Sequence, residues 1–166
     1  MKIFTPNRIV ATLLLIALFS VACGAIDKLI TVSDLGPSAV SRLNIDEATK
    51  AKWSGGFRRT GNSLRGYRDA DKSTPELKKA AKKQLASDIS QIISEDFVKS
   101  NNPSAEAWKN DILTLVRAFV GLPPPNAMQG LMKTMPAASA EQDSEGLEVK
   151  DSDIKRLESL LKNPPQ

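Results

Sequence analysis

Apolar residues follow two patterns along this chain. The first is unbroken: Ile9 to Ile26 runs eighteen residues without a charge. The second is periodic. Leu77, Ala81, Leu85, Ile89, Ile92, Ile93 and Phe97 recur at helical spacing between Thr74 and about Lys99. Lys78, Lys79, Lys82 and Lys83, then Asp88, Glu95 and Lys99, occupy the other side. Thr74 suits an N-cap, Pro75 the first helical position and Glu76 the positive helix end. The spacing predicts an amphipathic helix of about 25 residues, near 37 Å long. Its lysines come early, where the helix dipole disfavours cations. That conflict hints at a use other than helix stability.

A second periodic stretch runs from about Ser104 to Val120, with Trp108, Ile112, Leu115, Val116, Phe119 and Val120 on one side. Asn101-Asn102-Pro103 supplies a turn before it, and Gly121 is placed to end it. The short connection predicts that this helix and the preceding one form a long antiparallel hairpin. Trp108 is expected as a core or rim anchor. Leu122-Pro-Pro-Pro125 then stiffens the chain as polyproline II. Met128, Leu131, Met132 and Met135 suggest a short helix that closes the base of the hairpin. Residues 136–149 are rich in Ala, Ser and acids and read as a flexible linker. Asp151 or Ser152 caps a last helix with Ile154, Leu157, Leu160 and Leu161 inward, and Asn163-Pro-Pro-Gln166 stops it.

Upstream, the pattern is weaker. Asn44 or Asp46 caps a short helix through Trp53, with Ala48 and Trp53 inward and Ser54-Gly55-Gly56 ending it. Residues 54–73 contain four glycines with Asn and Ser, which argues for a loop. Residues 23–45 read as a tether, interrupted by Gly36-Pro37. The expected fold is therefore all-α. A small domain over 46–135 is built on the hairpin, and 150–166 adds a C-terminal helix and tail.

Charge divides the chain. Residues 50–83 hold eleven basic residues against three acidic ones, and acids dominate the C-terminal part. Phe57 and Tyr67 each precede an arginine. One reading is a solvated basic loop whose aromatics dock on the body. The other is a polyanion-contacting surface of Arg58, Arg59, Arg65, Arg68, Lys78, Lys79, Lys82 and Lys83, since guanidinium forks suit phosphate. Nucleic acid is not the expected partner of an exported chain.

The first two dozen residues carry a distinct signal. Lys2 and Arg8 precede the apolar run, and Ser20-Val21-Ala22 precede Cys23, the only cysteine. A positive leader, an apolar segment and small residues are the parts of a secretory signal peptide. This segment resembles a bacterial lipoprotein signal peptide, whose lipobox ends in a lipidated cysteine. The resemblance implies cleavage after Ala22, removal of residues 1–22 and acylation of Cys23. Ser20 departs from the pattern, which usually has an aliphatic residue there. Gly24 rather than Asp follows the cysteine, which in that class implies the outer membrane of a Gram-negative cell. Two other readings stand beside it: ordinary cleavage after small residues, giving a secreted protein, and an uncleaved anchor, since about 18 apolar residues just span a bilayer.

The chain has no histidine, which excludes His-based triads, metal sites and proton shuttles. If Cys23 is acylated, no thiol remains for catalysis or a disulfide. Gly56 to Ser63 approaches a phosphate-binding loop, but Asn62 replaces the lysine and no strand precedes it. Ser152-Asp-Ile-Lys155 matches S-x-x-K without its companion motifs. No cofactor or metal is expected. The reading that results is a membrane-anchored envelope lipoprotein, not an enzyme, whose segment 50–83 contacts anionic lipid or an acidic partner. The alternative is a secreted or anchored protein-binding module, inhibitor-like, that uses its Met-rich and C-terminal helices.

Overall fold

The computed structural model describes residues 24–123 and 149–166, and these are all-α. Cys23, the Met128–Met135 stripe and the linker up to residue 148 lie outside the described residues. Helix α1 covers 24–34, α2 Gly36–Ser41, α3 Glu47–Asp69, α4 Pro75–Asp96, α5 Pro103–Phe119 and α6 Asp151–Lys162.

The largest departure from expectation is α3. A 23-residue helix runs straight through the segment read as a glycine-rich loop. Asp46 caps it, accepting from the Thr49 N–H (2.8 Å) and the Thr49 hydroxyl (2.7 Å). Four glycines in a helix each cost up to about 1 kcal/mol relative to Ala. Burial offsets that cost. Trp53, Phe57, Thr60 and Leu64 form a buried stripe at i, i+4, i+7 and i+11. Gly56 lies on the same side, and a Cβ there would stand 2.7 Å from the Phe97 ring. The absent side chain is what lets α3 meet the end of α4. Gly36 does the same for α2, since its Cβ would fall 2.1 Å from Phe57. Ala48, expected inward, is exposed, and Thr49 takes the buried position.

The hairpin therefore has different partners from those expected. α3 packs antiparallel along α4, whereas α4 and α5 meet far less extensively. Thr74 caps α4 as anticipated, accepting from the Leu77 N–H (3.3 Å). Leu85, Ile89, Ile92 and Phe97 are buried, but Leu77 is 41% exposed because the core does not extend that far. α5 ends in a Schellman motif. Gly121 has φ of 72°, its N–H donates to Ala118 O, and the Leu122 N–H donates to Arg117 O (2.8 Å).

Residues 24–43 do not behave as a tether. Ile26, Leu29, Ile30, Val32, Ala39, Val40 and Leu43 are buried in the core. The Gly36-Pro37 break is real, but both sides of it are helical and packed. α6 docks on the same core through Ile154, Leu157 and Leu161. Its N-cap position is held by Lys150 without a side-chain cap, so neither Asp151 nor Ser152 caps it. Asp151 instead pairs with Lys28 of α1 (2.9 Å). At the other end, Arg42 donates to the carbonyls of Leu161 and Lys162, tying down the α6 terminus.

Four aromatics, Trp53, Phe57, Phe97 and Trp108, form one cluster. Trp53 stacks near Trp108 (6.3 Å between centroids), and Phe57 meets Phe97 edge-on at 5.2 Å. This cluster joins α3, α5 and the α4–α5 connection. Trp53 Nε1–H donates to Val98 O (2.9 Å), and Trp108 Nε1–H donates to Leu160 O (2.8 Å). Each indole thus buries its ring and also satisfies a backbone carbonyl beyond its own helix.

Candidate interaction surface

Among the basic residues singled out from sequence, the arginines and the lysines part company. Arg59 on α3 donates to Glu95 (2.8 Å) and Asp96 (2.9 Å) of α4. The Glu95 bond, followed by the charge of Asp96, raises the Arg59 pKa. Glu95 is held below the usual carboxylate range by Gln91 first and Arg59 second. Arg65 donates to both oxygens of Asp34 on α1 (2.8 and 2.7 Å), a forked contact suited to guanidinium. Arg68 bridges Asp69 (2.7 Å) and Asp27 of α1 (3.3 Å). Its pKa is raised by Asp69 first and then Asp27, and Arg68 depresses Asp69 in return. Three of the four arginines thus brace α3 against its neighbours. Arg58 is exposed on the outer side of α3.

The α3–α4 turn is closed by its own side chains. Lys72 donates to the carbonyls of Tyr67 and Arg68 (3.0 Å to the latter) and sits over the Tyr67 ring. It therefore neutralises the negative end of α3. Asp71 accepts from the Ser73 N–H, and this backbone bond lowers its pKa.

Beyond the turn, α4 begins bare. Ser73 through Ala80 are all exposed, including Lys78 and Lys79. Lys83 is also exposed, and Lys82 is half-buried. Among the described residues no partner meets Lys78, Lys79 or Lys83. These residues share the end of the domain with a groove of about 420 Å³ between α3 and α4, lined by Tyr67, Gly66, Gln84 and Asp88 among others.

Lys109 was not among the candidates read from sequence, yet it is the most buried cation among the described residues. Its ammonium donates to Glu106 (2.7 Å) and Val98 O (3.3 Å), contacts Phe97 O (3.4 Å), and lies 5.4 Å from the Trp53 ring centroid. Burial pushes the Glu106 carboxyl up, but the Lys109 bond and the Ser100 N–H outweigh it and hold it below its ordinary value. Its role is to tie the carbonyls of the α4–α5 connection to α5. No sequence signal marked it, because it sits one residue from Trp108 on a stripe that otherwise reads as apolar.

An enclosed cavity of about 30 Å³ is lined by Leu29, Phe57, Leu64, Ile89 and Phe119 among others. Ser33, one of its two polar lining residues with Thr60, turns its hydroxyl onto Ile30 O (2.8 Å). Among the described residues, no group of His, Cys, Asp and Glu side chains could hold a metal ion, and no helix is long and apolar enough to cross a membrane. The chain matches no known family, curated protein or solved structure.

Proposed function

We propose that the chain is a cell-envelope lipoprotein with a structural or interaction role and no catalytic one. Cys23 is the lipid attachment point, and the helical domain offers a basic surface from segment 50–83 to anionic lipid or an acidic partner. The observation that carries the reading is the division among its cations. Arg59, Arg65 and Arg68 of α3 are engaged with Asp and Glu of neighbouring helices, while Arg58 and, at the start of α4, Lys78, Lys79 and Lys83 stand in solvent. A solvated lysine cluster with nothing to brace is a charge available to a partner. The basic surface is accordingly narrower than the sequence suggested and is centred on α4.

The protein-binding alternative has less support. One of its two proposed binding helices, α6, has its apolar stripe packed on the core and its C-terminus fastened by Arg42.

The anchor is tested by the mass of the N-terminal peptide of the protein isolated from its own membranes, with Cys23→Ser beside it. The expected result is a chain beginning at an acylated Cys23 and loss of membrane retention in the variant. An unmodified chain starting at Cys23 or later, or an intact Met1, overturns the reading.

A further inference from the structure

Three observations from different elements converge on one end of the domain. The first is where the described chain begins. α1 runs antiparallel to α3: Asp27 meets Arg68, Asp34 meets Arg65, and Gly36 lies against Phe57. Residue 24 therefore stands beside the C-terminal end of α3, next to the turn that leads into α4. The second is a change of character along α4. Lys78, Lys82, Leu85, Ile89 and Ile92 share one helical stripe at i, i+4, i+7, i+11 and i+14. Over the core that stripe is apolar and buried, and beyond the core it becomes cationic. The third is Leu77, the one large hydrophobic side chain counted as exposed among the described residues. It sits in the first turn of α4, beside Lys78 and Lys79.

We infer that the start of α4 is a membrane-docking tip for the leaflet that holds the N-terminal segment. Leu77 enters the headgroup layer, and Lys78, Lys79 and Lys83 pair with anionic phospholipid headgroups around it. The tip projects end-on and is exposed on all sides, so Leu77 and the lysines that flank it face a surface together. Lysine stems reach past an apolar neighbour while their ammonium groups stay at headgroup level. Between Pro75 and Lys83 four lysines stand against one acid, Glu76. An acidic protein would match that charge too. The position of residue 24 decides for lipid, because whatever holds the preceding segment in a bilayer brings this end to the same surface at high effective concentration. Each lysine near an anionic surface strengthens such binding by roughly fivefold. The tip then acts as a second contact that sets the orientation of the domain, with α2 and the α4–α5 connection facing away from the membrane.

The inference rests on the anchored reading for the choice of lipid as well as of leaflet, and the test separates the two. The full chain is reconstituted into vesicles of phosphatidylcholine alone and of phosphatidylcholine mixed with phosphatidylglycerol. Amide hydrogen exchange is then followed over residues 77–83, with α5 as the internal reference. Exchange at 77–83 is expected to be slower in the anionic vesicles than in the neutral ones, because the lysine contacts raise the fraction of time the tip is bound. High salt should restore it, and the variant Lys78→Glu/Lys79→Glu/Lys83→Glu should abolish the slowing. These side chains are exposed, and an unchanged α5 exchange pattern verifies that the variant folds. Equal exchange in the two vesicle types overturns the inference. So does slowing that survives the triple variant. The N-terminal mass of the same sample reports on the lipid anchor independently, so either reading fails without taking the other with it.

Discussion

Two basic stretches lie side by side in this chain and have opposite fates. Three of the four arginines of α3, Arg59, Arg65 and Arg68, are turned against acids on α1 and α4. The lysines that open α4 project beyond the core into solvent. Both stretches contribute to one positive segment, and charge counting alone does not separate them. The difference comes from position relative to the core. α3 is flanked by α1, α2 and α4 along its length, so its polar flanks meet neighbours that carry Asp and Glu. The first turn of α4 extends past the last apolar layer, and among the described residues Lys78 and Lys79 meet no acid there. The side chains suit their places: a planar guanidinium bridges two helices through a fork, whereas an ammonium on a flexible stem suits a diffuse surface. Basic residues near a glycine-rich stretch are therefore not evidence of a ligand surface until the packing of that stretch is known.

The comparison breaks most decisively at Lys109, the cation most fully enclosed by the fold. Lys109→Met is expected to cost roughly 3 kcal/mol, the scale of breaking a buried ion pair by removing one partner. Denaturant unfolding followed by Trp53 and Trp108 fluorescence measures it. The same pair sets an acid limit. Glu106 titrates below its ordinary value of 4.5 in the folded protein. Its contribution is complete above that value and is lost as pH falls through the lower folded pKa. Lys109→Met should reduce this loss, leaving the part due to the Ser100 N–H and to the other carboxylates held low, and make the acid side of the profile shallower. A profile unchanged in the variant would show that the pair does not govern it.

Smaller effects separate glycines that permit close approach from those that do not. Gly56→Ala is expected to destabilise by about 1–3 kcal/mol, because a methyl group would strike the Phe97 ring. Gly66→Ala should stabilise by about 0.5–1 kcal/mol, since nothing lies within 4 Å of the added carbon. Thermal unfolding of the two variants, moving in opposite directions, checks the packing of α3. Two shifts of the same sign would refute it.

The smallest effect bears directly on the two sets of cations. Arg65→Gln with Arg68→Gln should speed amide exchange across residues 27–34 while the aromatic cluster keeps its fluorescence. Lys78→Gln with Lys79→Gln should leave both the exchange pattern of the bundle and its melting curve unchanged. Destabilisation by the lysine pair would mean that these side chains serve the fold.

Much of the chain was legible before folding was considered. The Thr74-Pro75-Glu76 start, the Asn102-Pro103 turn, the Gly121 ending and the inward residues of α5 and α6 all follow from local rules, because caps and 3.6-residue periodicity act over a few residues. The α3 segment was not legible, although Trp53, Phe57, Thr60, Leu64 and Tyr67 are spaced as one helical face. Four glycines outweighed that spacing, since glycine read alone means conformational freedom. Between helices it also means space, and that is visible only when Phe97 and Phe57 are in place. The same limit hid the packing of α1, whose apolar residues look like a loose tether until α3 and α6 cover them.

What this sequence determined by itself is the all-α class, the start of α4, both ends of α5 and the uneven distribution of charge, all of which follow from near neighbours and composition. Tertiary structure alone decided which helices pair, that α3 exists as one rod, and which cations are engaged. Those outcomes depend on groups far apart in the chain meeting at van der Waals or hydrogen-bond distance, as Arg65 meets Asp34 and Lys109 meets the carbonyl of Val98.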